Sequence, residues 1–376
     1  MSRPHDGHSM SSFFGNHFRI FIRKRSFNSS VRLNQILKGF ETVLEERLER
    51  LKLNKPKDFI DLTWMRQAME ILFSLHSDLR SLVGDLGFPI AKWDKKWIDQ
   101  YLDDTVNLLD ICIALNAEIS CLDHRHLIVQ YVLHLLNFSD GMLSSDKLIR
   151  ANDHLGELMG ETKAKEKNGV SQTKRKIENC AAILEGMRKS LHLRKVKSSA
   201  KGKVLLRAIY GVKATTIFIC SILVSVFAGS SGPLVDLSIP DQFSWSALFM
   251  TLQQEVNEEI RVGFVMGRVT ALKELESLNA AVKNLRSTIQ MLSLDMPGGN
   301  EGGFQITEGS EQAEQIRQPV QELQQSADLL SQGLDPLTKQ VNEFFQIILK
   351  GRNALLDSLR FSEDNDTQIG DELFKK

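Results

Sequence analysis

The sequence predicts an all-α protein, an elongated bundle of long antiparallel amphipathic helices. Three observations predict it. Apolar residues recur at steps of three and four along most of the chain, whereas strand-like alternation is scarce. Only 8 of the 376 residues are proline, and none lies between Ile90 and Gly232, so nothing in that stretch forces a helix to break. The chain is 42% hydrophobic and 25% charged, a balance that supplies a sizeable core and argues against global disorder.

The elements follow in order. A first helix is expected from Ser29 or Ser30, either of which can cap it, with Leu33, Leu37, Phe40, Leu44 and Leu51 on one stripe. A turn at residues 54–56 separates it from a second. There Met65, Ala68, Leu72, Leu75, Leu79 and Leu82 keep 3-4-3-4-3 spacing, a bundle seam. Gly84, Gly87 and Pro89 end it. Residues 93–136 carry one seam through Trp97, Tyr101, Leu108, Cys112, Leu115, Ile119 and Leu122. A second stripe runs beside it through Ile98, Leu102, Leu109 and Ile113. A stripe this wide predicts contact with more than one neighbour. Residues 137–173 are polar and rich in glycine and lysine, which predicts a mobile connection with one short helix. A helix over 174–191 and a basic, small-residue segment over 194–203 lead into the most apolar part of the chain. A break with two prolines is expected over 229–240, one very long helix over 244–292, and a loop at 297–303. Two closing helices are expected over 319–331 and 336–360, the second opening at Asp335-Pro336. In domain terms, 1–28 is a basic, Phe-containing N-terminal segment, 29–362 the bundle, and 363–376 a polar tail.

Motifs for chemistry are missing from the sequence. There is no GxxxxGK[ST], GxGxxG after a strand, GxSxG or HExxH. His124 and His126 diverge by about 200° on a helix, and Asp123-x-x-His126 stands without the second such pair that a di-iron bundle requires. Cys112, Cys121, Cys180 and Cys220 lack CxxC spacing and sit in apolar, helix-like stretches, as structural thiols of a reducing compartment do. No enzyme, metal or cofactor is expected. The formal net charge is zero, which does not suit a nucleic-acid partner. The charge is uneven, however: 35 Lys and Arg stand against 25 Asp and Glu up to Lys213, and 12 against 22 after it. Such asymmetry orients a protein at an anionic surface or guides packing between its halves.

Two segments are candidates for membrane contact. In the first, Phe14, Phe18, Phe21 and Ile22 share a helical face beside Arg19, Arg23, Lys24 and Arg25. That pattern suits a helix lying on an anionic membrane, a cleaved transit peptide or a disordered lead. In the second, residues 214–235 hold no charge, and Ile217, Phe218, Ile219, Ile222, Leu223, Val224, Val226 and Phe227 form its dense part. A basic flank precedes it, made of Arg194, Lys195, Lys197, Lys201, Lys203, Arg207 and Lys213. The length is enough to span a bilayer, with the flank on the cytosolic side. A buried central helix explains the same composition. The helices on either side need each other as partners, so the expectation is a buried helix, or a hairpin dipping into one leaflet, with both halves cytosolic.

Several blocks carry a family resemblance. They are LTWMRQAMEILFSLHSDLRSLV (62–83), WDKKWIDQYLDDTVNLLDIC (93–112), IENCAAIL (177–184), VKSSAKGKVLLRAIYGVKATT (196–216), ALKELESL (271–278) and VNEFFQIILKGRNALLDSLR (341–360), together with the opening MSRP. In this order, over nearly the whole chain, they resemble the plant BYPASS family. The resemblance implies a plant-specific helical protein without known enzymatic activity, in a family with no established catalytic residues to carry over. Its members restrain production of a root-derived mobile signal that arrests shoot growth, and so support root and shoot development. A related plant family is linked to exocytosis through exocyst subunits. The expected function is therefore non-enzymatic regulation of plant development, with an exocytosis adaptor as the alternative. The expected partners are proteins docking on helical surfaces and an anionic membrane surface. The expected place is the cytosolic face of the endoplasmic reticulum or plasma membrane, with the plastid as the alternative.

Overall fold

The computed structural model describes residues 29–53, 60–87, 95–138, 141–160, 168–192, 199–294 and 305–373. Among them, nine helices run as α1 (Ser29–Glu49), α2 (Leu62–Leu86), α3 (Lys95–Leu135), α4 (Ser145–Leu158), α5 (Asn168–Lys189), α6 (Ala200–Ala228), α7 (Ser246–Val265), α8 (Lys273–Leu294) and α9 (Glu311–Leu373). Two three-residue strands, β1 (Met142–Ser144) and β2 (Gln305–Thr307), pair antiparallel with Leu143 opposite Ile306. The fold is the elongated all-α bundle that the spacing predicts. Its longest member, α9, lies along α3, α2 and α8, while α6 is enclosed by α2, α5, α1 and α3.

Helix α2 shows how sequence becomes structure here. Asp61 caps it, accepting from the Trp64 backbone N–H at 2.7 Å, and all six expected seam residues are buried. Gly87 closes it in the left-handed region at φ 50°, where a side chain would be strained. Helix α6 is different: every residue from Ala214 to Val226 is buried, and a helix that is apolar all round belongs in a core. Ser199 caps its start, accepting from the Gly202 N–H at 3.2 Å. The segment after it is held to α7 by side chains. The Gln253 amide accepts from the Leu237 N–H at 2.9 Å and donates to the Leu237 carbonyl at 3.0 Å, both bonds buried. This satisfies backbone groups that have no helical partner.

Within residues 137–173 the structure places the one short helix expected there, and elsewhere it corrects the sequence reading. Leu148, Ala151, Leu155 and Leu158 of α4 step by three and four and are buried, beneath a Ser144 cap. The long helix expected over 244–292 is two helices. Gly267 turns the chain at φ 86°, Val269 just after it is 74% exposed, and the Lys273 N–H bonds to the Ile60 carbonyl at 3.0 Å. The two closing helices are one. Helix α9 passes through Pro319 and Pro336, although an interior proline costs about 3 kcal/mol or more. A buried stripe that includes Ile316, Leu323, Leu330, Leu334, Leu337, Val341 and Phe344 continues across both prolines, and each such side chain contributes about 1.5–3 kcal/mol. Residues expected as a polar tail up to Leu373 belong to the same helix. Finally, Ile113 of the second stripe on α3 is 47% exposed, because α3 turns that edge to solvent. The turn at 54–56, Pro89 and the loop at 297–303 lie outside the described residues.

Two helical glycines mark close approaches. A Cβ on Gly211 would meet Leu44 Cδ2 at 2.9 Å, and one on Gly333 would meet Leu62 Cδ1 and Cβ at 2.5 and 2.7 Å. Gly39, in contrast, has open space around it. Gly333→Ala should therefore push α9 off α2 and lower stability by about 1–3 kcal/mol. Gly39→Ala should leave packing intact and raise stability by about 0.4–1 kcal/mol. Urea unfolding of both variants checks this, and equal shifts of the same sign would contradict the close approach.

Candidate functional site

The expected membrane-contact residues divide in two. Phe14, Phe18, Phe21 and Ile22 lie outside the described residues. Ile217, Phe218, Ile219, Ile222, Leu223, Val224 and Val226 are buried in α6, and Phe227 is half-buried. Their neighbours are protein; the Phe218 ring meets Phe249 edge-on at 5.3 Å. By length and composition both α3 and α6 could cross a membrane, but the bundle buries 83% of the apolar window of α6.

The basic flank is divided as well. Arg194, Lys195 and Lys197 lie outside the described residues, Lys201 is half-buried and Lys203 is exposed. The last two members turn inward. Arg207 donates to Glu41 Oε1 at 2.8 and 3.0 Å and lies over the Phe243 ring, 4.7 Å from its centroid. Phe243 in turn stacks on Tyr210 at 4.9 Å. This arrangement ties α1 and α6 to the segment before α7 by charge and by a cation–π contact. Lys213 goes deeper and forms the centre of a polar node.

Three helices meet at that node. Lys213 Nζ of α6 donates to Asp104 Oδ2 of α3 at 2.6 Å and to Ser190 Oγ, just beyond α5, at 2.8 Å. The lysine and aspartate side chains are 10% and 13% exposed. Gln100 Nε2 donates to the other Asp104 oxygen at 3.1 Å. Burial raises the Asp104 carboxyl above its usual range, against the pull of Lys213. Alongside, Arg352 of α9 donates to the Leu102 carbonyl at 2.6 Å and to Thr105 Oγ1 at 3.0 Å. An apolar pair in place of Lys213 and Asp104 would hold the helices as well or better, while removing one partner strands a charge. The pair therefore fixes register between α3 and α6 more than it adds stability.

One turn along, the His76 ring of α2 lies 3.1 Å from Thr216 Oγ1. That hydroxyl donates to the Val212 carbonyl at 2.7 Å, so the ring nitrogen is the donor to it. Phe344 of α9 meets the His76 ring edge-on at 5.2 Å. Burial pushes the imidazole down to about 4, so it is neutral at physiological pH. Nothing at the node is arranged for nucleophilic chemistry. The four cysteines are free, and burial pushes Cys112 up to about 12 and Cys180 to about 11, where thiolate is scarce. Among the described residues no cluster of His, Cys, Asp and Glu is placed to hold a metal.

Lys213 was legible as the last charge before the apolar run. Asp104, Ser190 and His76 were not singled out, although Asp104 left a signal. The seam on α3 jumps seven residues from Tyr101 to Leu108, and Asp104 occupies the missing step. A charge on a seam demands a buried partner.

The neutral state of His76 sets a pH dependence. Its folded value, about 4, lies below the ordinary 6.5, so the unfolded chain binds the extra proton. Its contribution is fully present above pH 6.5 and is lost as pH falls toward 4, by about 3 kcal/mol. Denaturation midpoints should show this loss, and the difference between wild type and His76→Gln should change by that amount across the window. A constant difference would mean that His76 charges freely in the folded protein.

Known proteins bear on the whole chain. A family profile described as Protein ROH1-like matches residues 12–200 and 179–359. Protein BPS1, chloroplastic, of Arabidopsis thaliana is 36% identical, with 96% of this chain and 93% of that protein covered. UPF0496 protein 4 of Oryza sativa subsp. japonica is 34% identical over 96% and 98% of the two chains. Protein ROH1D of Arabidopsis thaliana is 20% identical over 86% and 88%. No solved structure matches significantly. The expected location at the cytosolic face of the endoplasmic reticulum or plasma membrane is corrected by this comparison, because a relative aligned along almost its full length is named as chloroplastic. Profile and relatives agree along the length of the bundle: the chain belongs to the plant ROH1-like family, the BYPASS-type group that includes BPS1, ROH1D and UPF0496 protein 4.

Proposed function

We propose that this chain is a non-enzymatic regulator of plant development, which restrains a root-derived mobile signal and so permits shoot and root growth, as BYPASS proteins do. The carrying observation is the alignment with BPS1, which covers 96% of this chain and 93% of that protein. A relation that runs the full length of the bundle supports a shared role more strongly than a shared module would. In this reading the protein acts by binding other proteins on the outer faces of its helices, since its apolar interior is taken up by its own packing. Its place of action is the plastid. The chloroplastic relative supports that, as does an N-terminus with seven basic residues and one acid in its first 40 positions.

Grafting tests the role. A wild-type shoot is grafted onto roots that lack the BPS1-type protein, with and without this chain expressed in those roots. Shoots above the expressing roots should keep producing leaves, and shoots above the empty roots should arrest. Arrest above both, with the protein present at normal levels, would contradict the reading. Imaging a C-terminal tag tests the place: the full chain should enter plastids, and a chain lacking residues 1–28 should stay outside.

A further inference from the structure

Helix α3 is unevenly covered. It is an apolar rod like α6, yet 44% of its apolar window is buried, against 83% for α6. What it leaves outside is ordered. From Asp99 to His134 its outermost line steps by four and three residues without a break. One column of that line reads Asp99, Val106, Ile113, Ser120, Leu127 and His134, all exposed. The other reads Asp103, Asp110, Ala117, His124 and Tyr131, exposed except for the half-buried Ala117. The period itself follows from the twist of a bundle, which gives any outer helix such a line. The residue types do not follow from it. None of these eleven residues is Lys, Arg, Glu or Gln. Helix α9, in contrast, exposes Gln321, Gln325, Gln332, Lys339 and Lys350. Lysine and glutamate are depleted where proteins meet, and tyrosine is enriched there. Leu127 is 64% exposed, and Tyr131, one turn on, is braced edge-on by His154 of α4 at 5.1 Å.

The two halves of the line differ. Asp99, Asp103 and Asp110 make the first half acidic, whereas the second half offers donors, the His124 and His134 rings and the Tyr131 hydroxyl. Small residues, Ala117 and Ser120, mark the middle. Such a line complements itself when reversed. A twofold axis between Ala117 and Ser120 sets Asp103 against His134 of a second copy, Val106 against Tyr131, and Ile113 against His124. Asp110 falls at Leu127, within a turn of His124 and Tyr131. The small middle residues let the two backbones approach. A parallel pairing would set aspartate against aspartate, which repels. Carboxylates repeated along the line also disfavour lipid as its cover.

We propose that α3 pairs antiparallel with α3 of a second copy of this chain, along about 50 Å of helix, in an isologous dimer. This goes beyond the developmental role and does not depend on it. Sedimentation of the full-length protein across the micromolar range should show a monomer–dimer equilibrium. Leu127→Asp removes an exposed side chain and brings a carboxylate toward Asp110 of the other copy. It should weaken the dimer about tenfold and leave the far-UV circular dichroism of wild type. Cysteine substitution tests the direction. Asp110 and Leu127 are about 25 Å apart on one helix, too far for a disulfide, but they face each other across the axis. Asp110→Cys with Leu127→Cys should therefore give a covalent dimer on mild oxidation with diamide. Leu127→Cys alone should stay uncrosslinked, like the wild type. If Leu127→Asp fails to fold, the cysteine pair decides. A chain that stays monomeric, in solution or on added phosphatidylglycerol vesicles, would overturn the proposal. So would a dimer that Leu127→Asp leaves unweakened, a cysteine pair that forms no covalent dimer, or crosslinking by Leu127→Cys alone.

Discussion

The structure depends on the complete enclosure of α6. Thirteen consecutive residues, from Ala214 to Val226, have no exposed face, and α1, α2, α3 and α5 are placed by the need to cover them. The helix can be enclosed because three of the four hydroxyls between Ala214 and Val226 donate to nearby backbone. Thr216 donates to the Val212 carbonyl, Ser221 to the Phe218 carbonyl, and Ser225 to the Ser230 carbonyl. The fourth, Thr215 Oγ1, is buried without a hydrogen-bond partner, and Thr216 also accepts from His76 of α2. Gly211 lets α1 come close, with Leu44 and Trp245 in the space where a side chain would be. Apolar composition, hydroxyl placement and one glycine act together to let this helix pack as a core rod.

Around that rod, polar groups appear where register must be set. Apolar stripes alone allow two helices to slide by a turn with little penalty. The Lys213–Asp104 pair fixes α6 against α3, and Arg207 with Glu41 fixes it against α1. Gln253 holds the backbone at Leu237, and Arg352 attaches α9 to α3. All but the Gln253 contact join elements far apart in sequence. The basic flank before the apolar run thus does more within the fold than its charge pattern alone suggests, because two of its seven members are structural anchors.

What was legible in the sequence was whatever spacing alone determines. The seam of α2 and the central place of the apolar run follow from period and composition, and the structure reproduces them. The misses came where tertiary contact outweighs a local signal. Pro319 and Pro336 read as helix boundaries, but the stripe that crosses them buries enough apolar surface to carry α9 through both. Val269 continued the apolar spacing, but Gly267 breaks the helix, so Val269 falls at a corner. The short helix expected within 137–173 had no bounds in the sequence reading, because the stretch around residues 145–158 is polar and contains glycine. At the node, Lys213 was visible as a flank charge. Its partners Asp104 and Ser190 were not, because they meet Lys213 only when helices from distant parts of the chain are packed. The family was readable because its blocks span the chain in order.

The central claim is that α6 is the core of a folded bundle, covered by protein on every side. Cys220, at its middle and fully buried, reports on it directly. A water-soluble thiol reagent is added to the detergent-free protein, and labelling of the Cys220 peptide is followed by mass spectrometry at increasing urea. The account predicts that Cys220 reacts only through global unfolding, with a protection free energy equal to that from the unfolding curve. Rapid labelling without urea, or a protein that stays dispersed only in detergent, would contradict it.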